Sequence, residues 1–371
     1  MHDPGKIVAD LVMAQPTQVV PADDSDGSEA EETTVARGPC QAPPPARSRA
    51  ATSTSIGRRI KRMARPNSEE ADIGDGEYTW HLASTRRRPS TVSRTFIVGI
   101  QIADAEYDSY RSNVELLEQA LAKSPFATFQ ERCMEFMHAT SDALEAFKAS
   151  QSTTPLTPVI RSKFDDVLSS LRRFMDRTAH ILSQRYGSNS EEVRVLKQAM
   201  SYEFDNEFPY RFMYHLRNYS EHRGTPIARI KQASMLTPDG RVEHDLDVLF
   251  DSRKLLPAHD WHARVRADLT GIDGEFSALV TVDALLHACG RVHSKVLLAQ
   301  EADITAAAAG IRALAGRIAT DDTMGPVLLQ ARPSQLTARQ VTSPLNITPI
   351  RTDLAQVAEV ALRQAHELIG R

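Results

Sequence analysis

Phe208-Pro-Tyr-Arg-Phe-Met-Tyr-His-Leu-Arg-Asn-Tyr-Ser-Glu-His-Arg-Gly-Thr-Pro226 decides how the rest of this chain is read. Pro209 suits a first helical turn, where its missing N–H is no loss. Gly224 and Pro226 supply the stop. Between them the spacing predicts one helix. Phe212, Leu216 and Tyr219 recur at i, i+4 and i+7 and give it a face to bury, while Arg217, Asn218, Glu221, His222 and Arg223 crowd its last turn. A permanent cation, an amide and an imidazole are thereby gathered at one helix end.

Upstream of this helix the pattern is helical for more than a hundred residues. After a β-rich run at Thr95-Phe-Ile-Val-Gly-Ile-Gln-Ile102, Asp104 is expected to cap a helix carrying Tyr107, Tyr110, Val114, Leu117 and Leu121. Ser124-Pro125 breaks it, and Phe126 to Ser150 restarts the pattern with Phe129, Cys133, Phe136 and Phe147. A third helix after Thr157-Pro158 carries Ile160, Phe164, Leu168, Leu171 and Phe174, and a fourth begins at Ser190-Glu191-Glu192. Connections this short predict antiparallel packing in a bundle. Beyond Pro226 the period changes. Residues 227–250 read as a hairpin around Thr237-Pro-Asp-Gly240, expected to form a small sheet with the strand near Phe96. Helices return at about 260–269, from Glu275 to about Gln300, over 306–318 and over 352–369, with a loose Pro-rich connection at 319–349.

The fold class is therefore mainly α: a helical bundle with a small antiparallel β element, made of the strand at 95–102 and the hairpin at 227–250. Three regions are expected: a disordered tail over 1–93, the bundle with its hairpin over 94–300, and a helical C-terminal extension over 301–371. The tail has few bulky hydrophobes to offset chain entropy. It runs from an acidic stretch (Asp23 to Glu32) through Pro43-Pro44-Pro45 to basic clusters at Arg58–Arg65 and Arg86–Arg88. It reads as a self-neutralising solvated segment, with an arm for nucleic acid as the competing reading.

At 371 residues, 41% hydrophobic and 25% charged, the chain has an ordinary globular composition with room for a real core. A formal net charge of −4 means that a nucleic-acid partner must be met by a local basic patch. Cys40, Cys133 and Cys289 stand far apart with no CxxC pair, which argues against a disulfide framework and for a reducing, cytoplasmic setting. No run approaches the roughly 18 apolar residues of a spanning helix, so no membrane is expected. Phosphate-binding glycine loops, a GxSxG elbow and HExxH are missing from the sequence, and NTPase, α/β-hydrolase and zincin chemistry recede with them. His259 and His262, like His287 and His293, lack the spacing and companion carboxylate of a helical zinc site and read as solvated or capping histidines. No cofactor and no metal are expected.

What remains as chemistry is Arg217-Asn218-Tyr-Ser-Glu-His222. This string resembles the Rx4-6H motif of the HEPN superfamily, and the following His-Arg-Gly-Thr-Pro is similar to bacterial proteins with the same helix, hairpin and helix order. The resemblance covers about residues 94 to 300. It implies a metal-independent endoribonuclease of toxin or defence type, with a site composite across a homodimer, and an antitoxin or other partner protein. The residue types suit that chemistry by themselves. Cleaving RNA at its own 2′-hydroxyl needs proton transfer near neutrality, which His222 can supply, and a cation for the phosphoryl oxygens, which the planar fork of Arg217 can hold. Asn218 would orient the imidazole or the phosphate, as the resemblance implies, and Arg223 would add a contact to nucleic acid. A second motif from a twin subunit would complete the set.

Geometry sets a condition on this reading. Five residues of an ideal helix turn by about 500°, so Arg217 and His222 point about 140° apart unless the last turn unwinds. The competing expectation is a plain helix end, with Arg217 paired to Glu221 one turn on and His222 capping carbonyls. The chain would then be a non-catalytic interaction module binding a partner protein or nucleotide, or an adaptor that grips RNA or DNA through its basic tail.

Overall fold

The computed structural model describes residues 77–86, 95–318, 324–337, 340–341 and 344–370, and the side chains of His222 and Arg223 are outside that description. The acidic stretch, the triple proline and the basic segment at 58–65 also fall outside the described residues. In chain order the elements are β1 (Thr79–Arg86), β2 (Thr95–Ile102), α1 (Asp104–Ala120), α2 (Pro125–Lys148), α3 (Thr157–Tyr186), α4 (Glu191–Asn206) and α5 (Phe208–Arg223). They continue as β3 (Arg229–Leu236), β4 (Val242–Asp251), α6 (Ser252–Ala258), α7 (Ala263–Gly271), β5 (Glu275–Ser277), α8 (Ala278–Ala299) and α9 (Glu301–Ala315). The last are β6 (Met324–Ala331), β7 (Leu336–Thr337), β8 (Gln340–Val341), β9 (Asn346–Pro349) and α10 (Thr352–Ile369). The fold is mainly α with small antiparallel sheets, as the periodicity predicts.

The helix boundaries follow from local chemistry. Ser124 accepts a hydrogen bond from the Ala127 N–H and is followed by Pro125 in the first turn, so α2 starts there. Ser190 does the same for α4 through the Val193 N–H. Gly187 and Gly224 end α3 and α5 with φ of +95° and +86°, a conformation that a Cβ would oppose. At α1 the cap is one residue earlier than expected: Ala103 takes that place, its N–H donating to the Glu106 carboxylate at 3.2 Å, and Asp104 is the first helical residue.

Bundle and hairpin share an aromatic core. Phe136 of α2 meets Phe164 of α3 edge-on at 5.5 Å, Phe164 meets Phe250 of β4 at 5.4 Å, and Phe250 meets Phe212 of α5 at 5.4 Å. All four rings are fully buried, and each contributes on the order of 1.5–3 kcal/mol of burial. The hydrophobic face predicted for the site helix is thus a wall of the main core.

The β structure departs from expectation in its pairing. The hairpin β3–β4 extends only to β5, while the strand at 95–102 belongs to a separate sheet of order β7-β8-β2-β1-β6-β9. Its centre is β1, which lies inside the stretch read as tail. Trp80 pairs with Ile102, and Leu82 with Ile100 on one side and Leu328 of β6 on the other. One face of this sheet (Trp80, Leu82, Ile102, Leu328) packs on Leu117 of α1, Ile304 and Ile311 of α9 and Leu354 of α10. Residues beyond 301 therefore complete a core that begins at residue 80, and the connection expected at 319–349 contains β6 to β9. Two further differences are local: α6 precedes α7, and Glu275–Ser277 is a strand before the long helix starts.

Deletion tests this placement. A chain starting at residue 94 is expected to lose the cooperative melting of one starting at residue 75, because it lacks the strand to which β2 and β6 both bond. Thermal melts followed by circular dichroism measure the difference, and equal melting would deny β1 its central role.

Candidate nucleic-acid interface at the end of helix α5

Three polar ties fix the site helix. At its start Arg291 of α8 donates Nε to Glu203 at 3.0 Å and Nη2 to the other oxygen of Glu203 at 2.6 Å. The same Nη2 also reaches Glu207, which caps α5, at 2.9 Å. In the middle, the Arg211 fork grips both oxygens of Asp268 on α7, at 2.6 and 2.9 Å. Near its end the hydroxyls of Ser220 and Thr225 donate to the two oxygens of Asp165 on α3, at 3.3 and 3.2 Å. Buried Tyr210, Phe212, Met213 and Leu216 hold the inner face between these ties. The end of α5 is thereby fixed against the flank of α3.

The backbone of α5 stays helical through Arg223, and the Gly224 N–H still bonds back to the Ser220 carbonyl at 3.1 Å. The last turn does not unwind, so the backbone positions 217 and 222 lie about 140° apart around the helix axis. Arg217 Nη2 lies 2.6 Å from a Glu221 carboxylate oxygen, the pairing expected of a plain helix end. With Arg217 31% and Glu221 49% exposed, that pair is worth about 0–1 kcal/mol, and an incoming phosphate can compete for the guanidinium. Asn218 is exposed beside it, and both residues line a small cavity of about 30 Å3 with Arg172, Met175 and Tyr214.

Arg217 also forms part of the wall of a much larger cleft, about 1270 Å3, between the flanks of α1 and α3. Six of its fourteen lining residues are Lys or Arg (Lys123, Arg172, Arg173, Arg177, Arg185 and Arg217), against three carboxylates. Those carboxylates are occupied. Glu118 accepts from Lys123 at 2.5 Å and from Arg351 at 3.1 Å, Asp176 accepts from Arg172 at 2.7 Å, and Glu115 accepts from Gln119 at 2.9 Å. Among the described residues Arg173 and Arg177 have no carboxylate partner, and both are exposed. On a chain of net charge −4 this is a local basic patch of the kind a nucleic-acid partner would need. The cations of α3 were open to sequence reasoning through their three- and four-residue spacing on the polar face, but only the apolar face of that helix entered the reading.

Several other described histidines serve capping or packing. His262 accepts from the Arg264 N–H at 3.4 Å at the start of α7 and stacks on His215 at 5.5 Å. Burial, then the neighbouring His262 and His259, hold the His215 imidazole below its ordinary range. His293 is half-buried and stacks on Phe126 at 4.6 Å, and loss of solvation pushes it down to about 4, so it stays neutral. His287 stands 3.8 Å from Asp283 on its own helix. Among the described residues no group of three or more His, Cys, Asp or Glu is placed to hold a metal ion. None of their helices is long and apolar enough to cross a membrane.

Comparison of the chain with known protein families, with curated proteins and with solved structures finds no match.

Proposed function

We propose that the chain binds RNA where α5 ends against α3 and, as a homodimer, cleaves it without a metal ion in the manner the HEPN resemblance implies. Arg217 holds the scissile phosphate, Asn218 orients it, His222 transfers the proton and Arg223 adds a contact to the strand. The observation that carries this reading is the position of Arg217, half-exposed at the wall of a cationic cleft with Asn218 beside it. The unbroken helix adds a requirement. With positions 217 and 222 about 140° apart around the unbroken helix, each phosphate meets the arginine of one subunit and the histidine of the other. Bacterial origin, a toxin or defence role, a cytoplasmic setting and an antitoxin belong to the same resemblance.

The second reading, a non-catalytic module for a partner protein or nucleotide, draws on the Arg217–Glu221 pair and the intact last turn. A nuclease assay separates the two. Purified full-length protein is expected to cut single-stranded RNA equally well with and without excess chelator, since a 2′-hydroxyl attack assisted by His222 needs no metal-bound water. RNA left intact under both conditions, or cleavage abolished by the chelator, contradicts the ribonuclease reading.

A further inference from the structure

We infer that the cleft between α1 and α3 is a track for the sugar–phosphate backbone of single-stranded nucleic acid leading to Arg217, gripped by Arg173 and Arg177 with Lys123 and Arg185. Choosing RNA as its natural occupant rests on the proposed function; the track itself rests on independent geometry.

Arg173, Arg177 and His180 recur at four and three along one side of α3, Arg172 flanks them, and Arg185 extends the row. From residue 172 to 185 the helix rises about 20 Å, enough to follow several nucleotides of one strand. It is a single row on a single helix, faced by Lys123, and so matches one backbone better than the paired backbones of a duplex.

The chemistry of the lining narrows the ligand. Among the fourteen lining residues His180 is the only ring and Ile181 the only aliphatic side chain, so the cleft lacks a platform for stacking bases. Recognition then falls on phosphates, and it is electrostatic and tolerant of sequence. At about 1270 Å3 the cleft exceeds the roughly 300–1,000 Å3 that suits a small organic ligand, and its lining residues are nearly all charged or polar. The three carboxylates do not spoil the track, because each already accepts a bond from a lining or adjacent group. Arg173 and Arg177, exposed and without carboxylate partners among the described residues, are left for the ligand.

The test uses full-length protein carrying His222→Ala, so that any cleavage is silenced while binding is read. Fluorescence anisotropy with a labelled oligouridylate is recorded over a range of salt concentrations. For a single strand the slope of log K against log salt is about −0.7 per phosphate neutralised. Arg173→Gln with Arg177→Gln is expected to make the slope shallower by about 1.4 and to weaken low-salt binding by about tenfold or more. Arg194→Gln with Lys197→Gln, on the exposed side of α4, leaves the slope unchanged. A merely structural role for Arg173 and Arg177 would lower the affinity without changing the slope.

Equal binding of the matching DNA strand supports a backbone reader without preference for the sugar, and stronger binding of RNA supports the RNA source. An unchanged slope in the Arg173/Arg177 variant, a preference for duplex RNA, or binding of polyglutamate in place of either strand overturns the track. Binding that behaves as expected in a protein whose parent cuts no RNA leaves the track standing and removes the ribonuclease.

Discussion

His222→Ala is expected to slow RNA cleavage by about 10²–10⁴-fold, the usual contribution of a positioned acid–base group, with the melting temperature unchanged. Arg217→Ala is expected to act in the same direction, because a planar fork on two phosphate oxygens is lost. Stability should hardly respond to the arginine change. The one ion pair it removes is half in water, where such pairs contribute about 0–1 kcal/mol. Initial rates on a labelled RNA strand, recorded with thermal melts, separate loss of chemistry from loss of fold. Parental cleavage by the His222 variant would remove the imidazole from the reaction.

Arg291→Ala is expected to destabilise the protein by about 3–5 kcal/mol, the cost of leaving a buried carboxylate without its partner. Glu203 is 1% exposed, and Arg291 covers both of its oxygens while reaching Glu207 at the cap of α5. Adding Glu203→Gln to Arg291→Met removes the stranded charge and should recover much of the loss. Denaturant melts of the single and double variants check both statements, and a double variant no more stable than Arg291→Ala would mean that packing, not charge, is what Arg291 supplies.

Elements with a complete local signature were legible in the sequence. Helix α5 announces its start with Pro209, its buried face with Phe212 and Leu216 and its end with Gly224, and it forms where that pattern places it. The caps at Ser124 and Ser190 are of the same kind. Strand β1 was not legible. Trp80 and Leu82 are its only large hydrophobes, and what makes it a strand is the ladder to β6, formed by residues far later in the chain. Without that partner Thr79 to Arg86 reads as one more polar segment. The same blindness assigned 301–371 to an extension, since its apolar positions meet β1 and α1 only in three dimensions.

The site divides along a similar line. Spacing located Arg217 and Asn218 and foresaw the ion pair with Glu221 one turn away. Unwinding of the last turn was the condition for bringing Arg217 and His222 together in one chain, and α5 does not meet it, because the Gly224 N–H completes the regular bond to Ser220. Nor did the reading find the cleft. Its cations come from the polar face of α3, from Lys123 in the turn after α1 and from Arg217 of α5, and each alone belongs to an ordinary solvated surface.

Mixing two variants tests the composite site most directly. Arg217→Ala protein and His222→Ala protein, each expected to be inactive alone, are combined under conditions that let subunits exchange. One of the two sites in the mixed dimer then holds an intact arginine from one chain and an intact histidine from the other, so RNA cleavage should return to a substantial fraction of the parental rate. Mixed dimers that form, as measured by mass in solution, and still cut no RNA while the parent does would contradict the account.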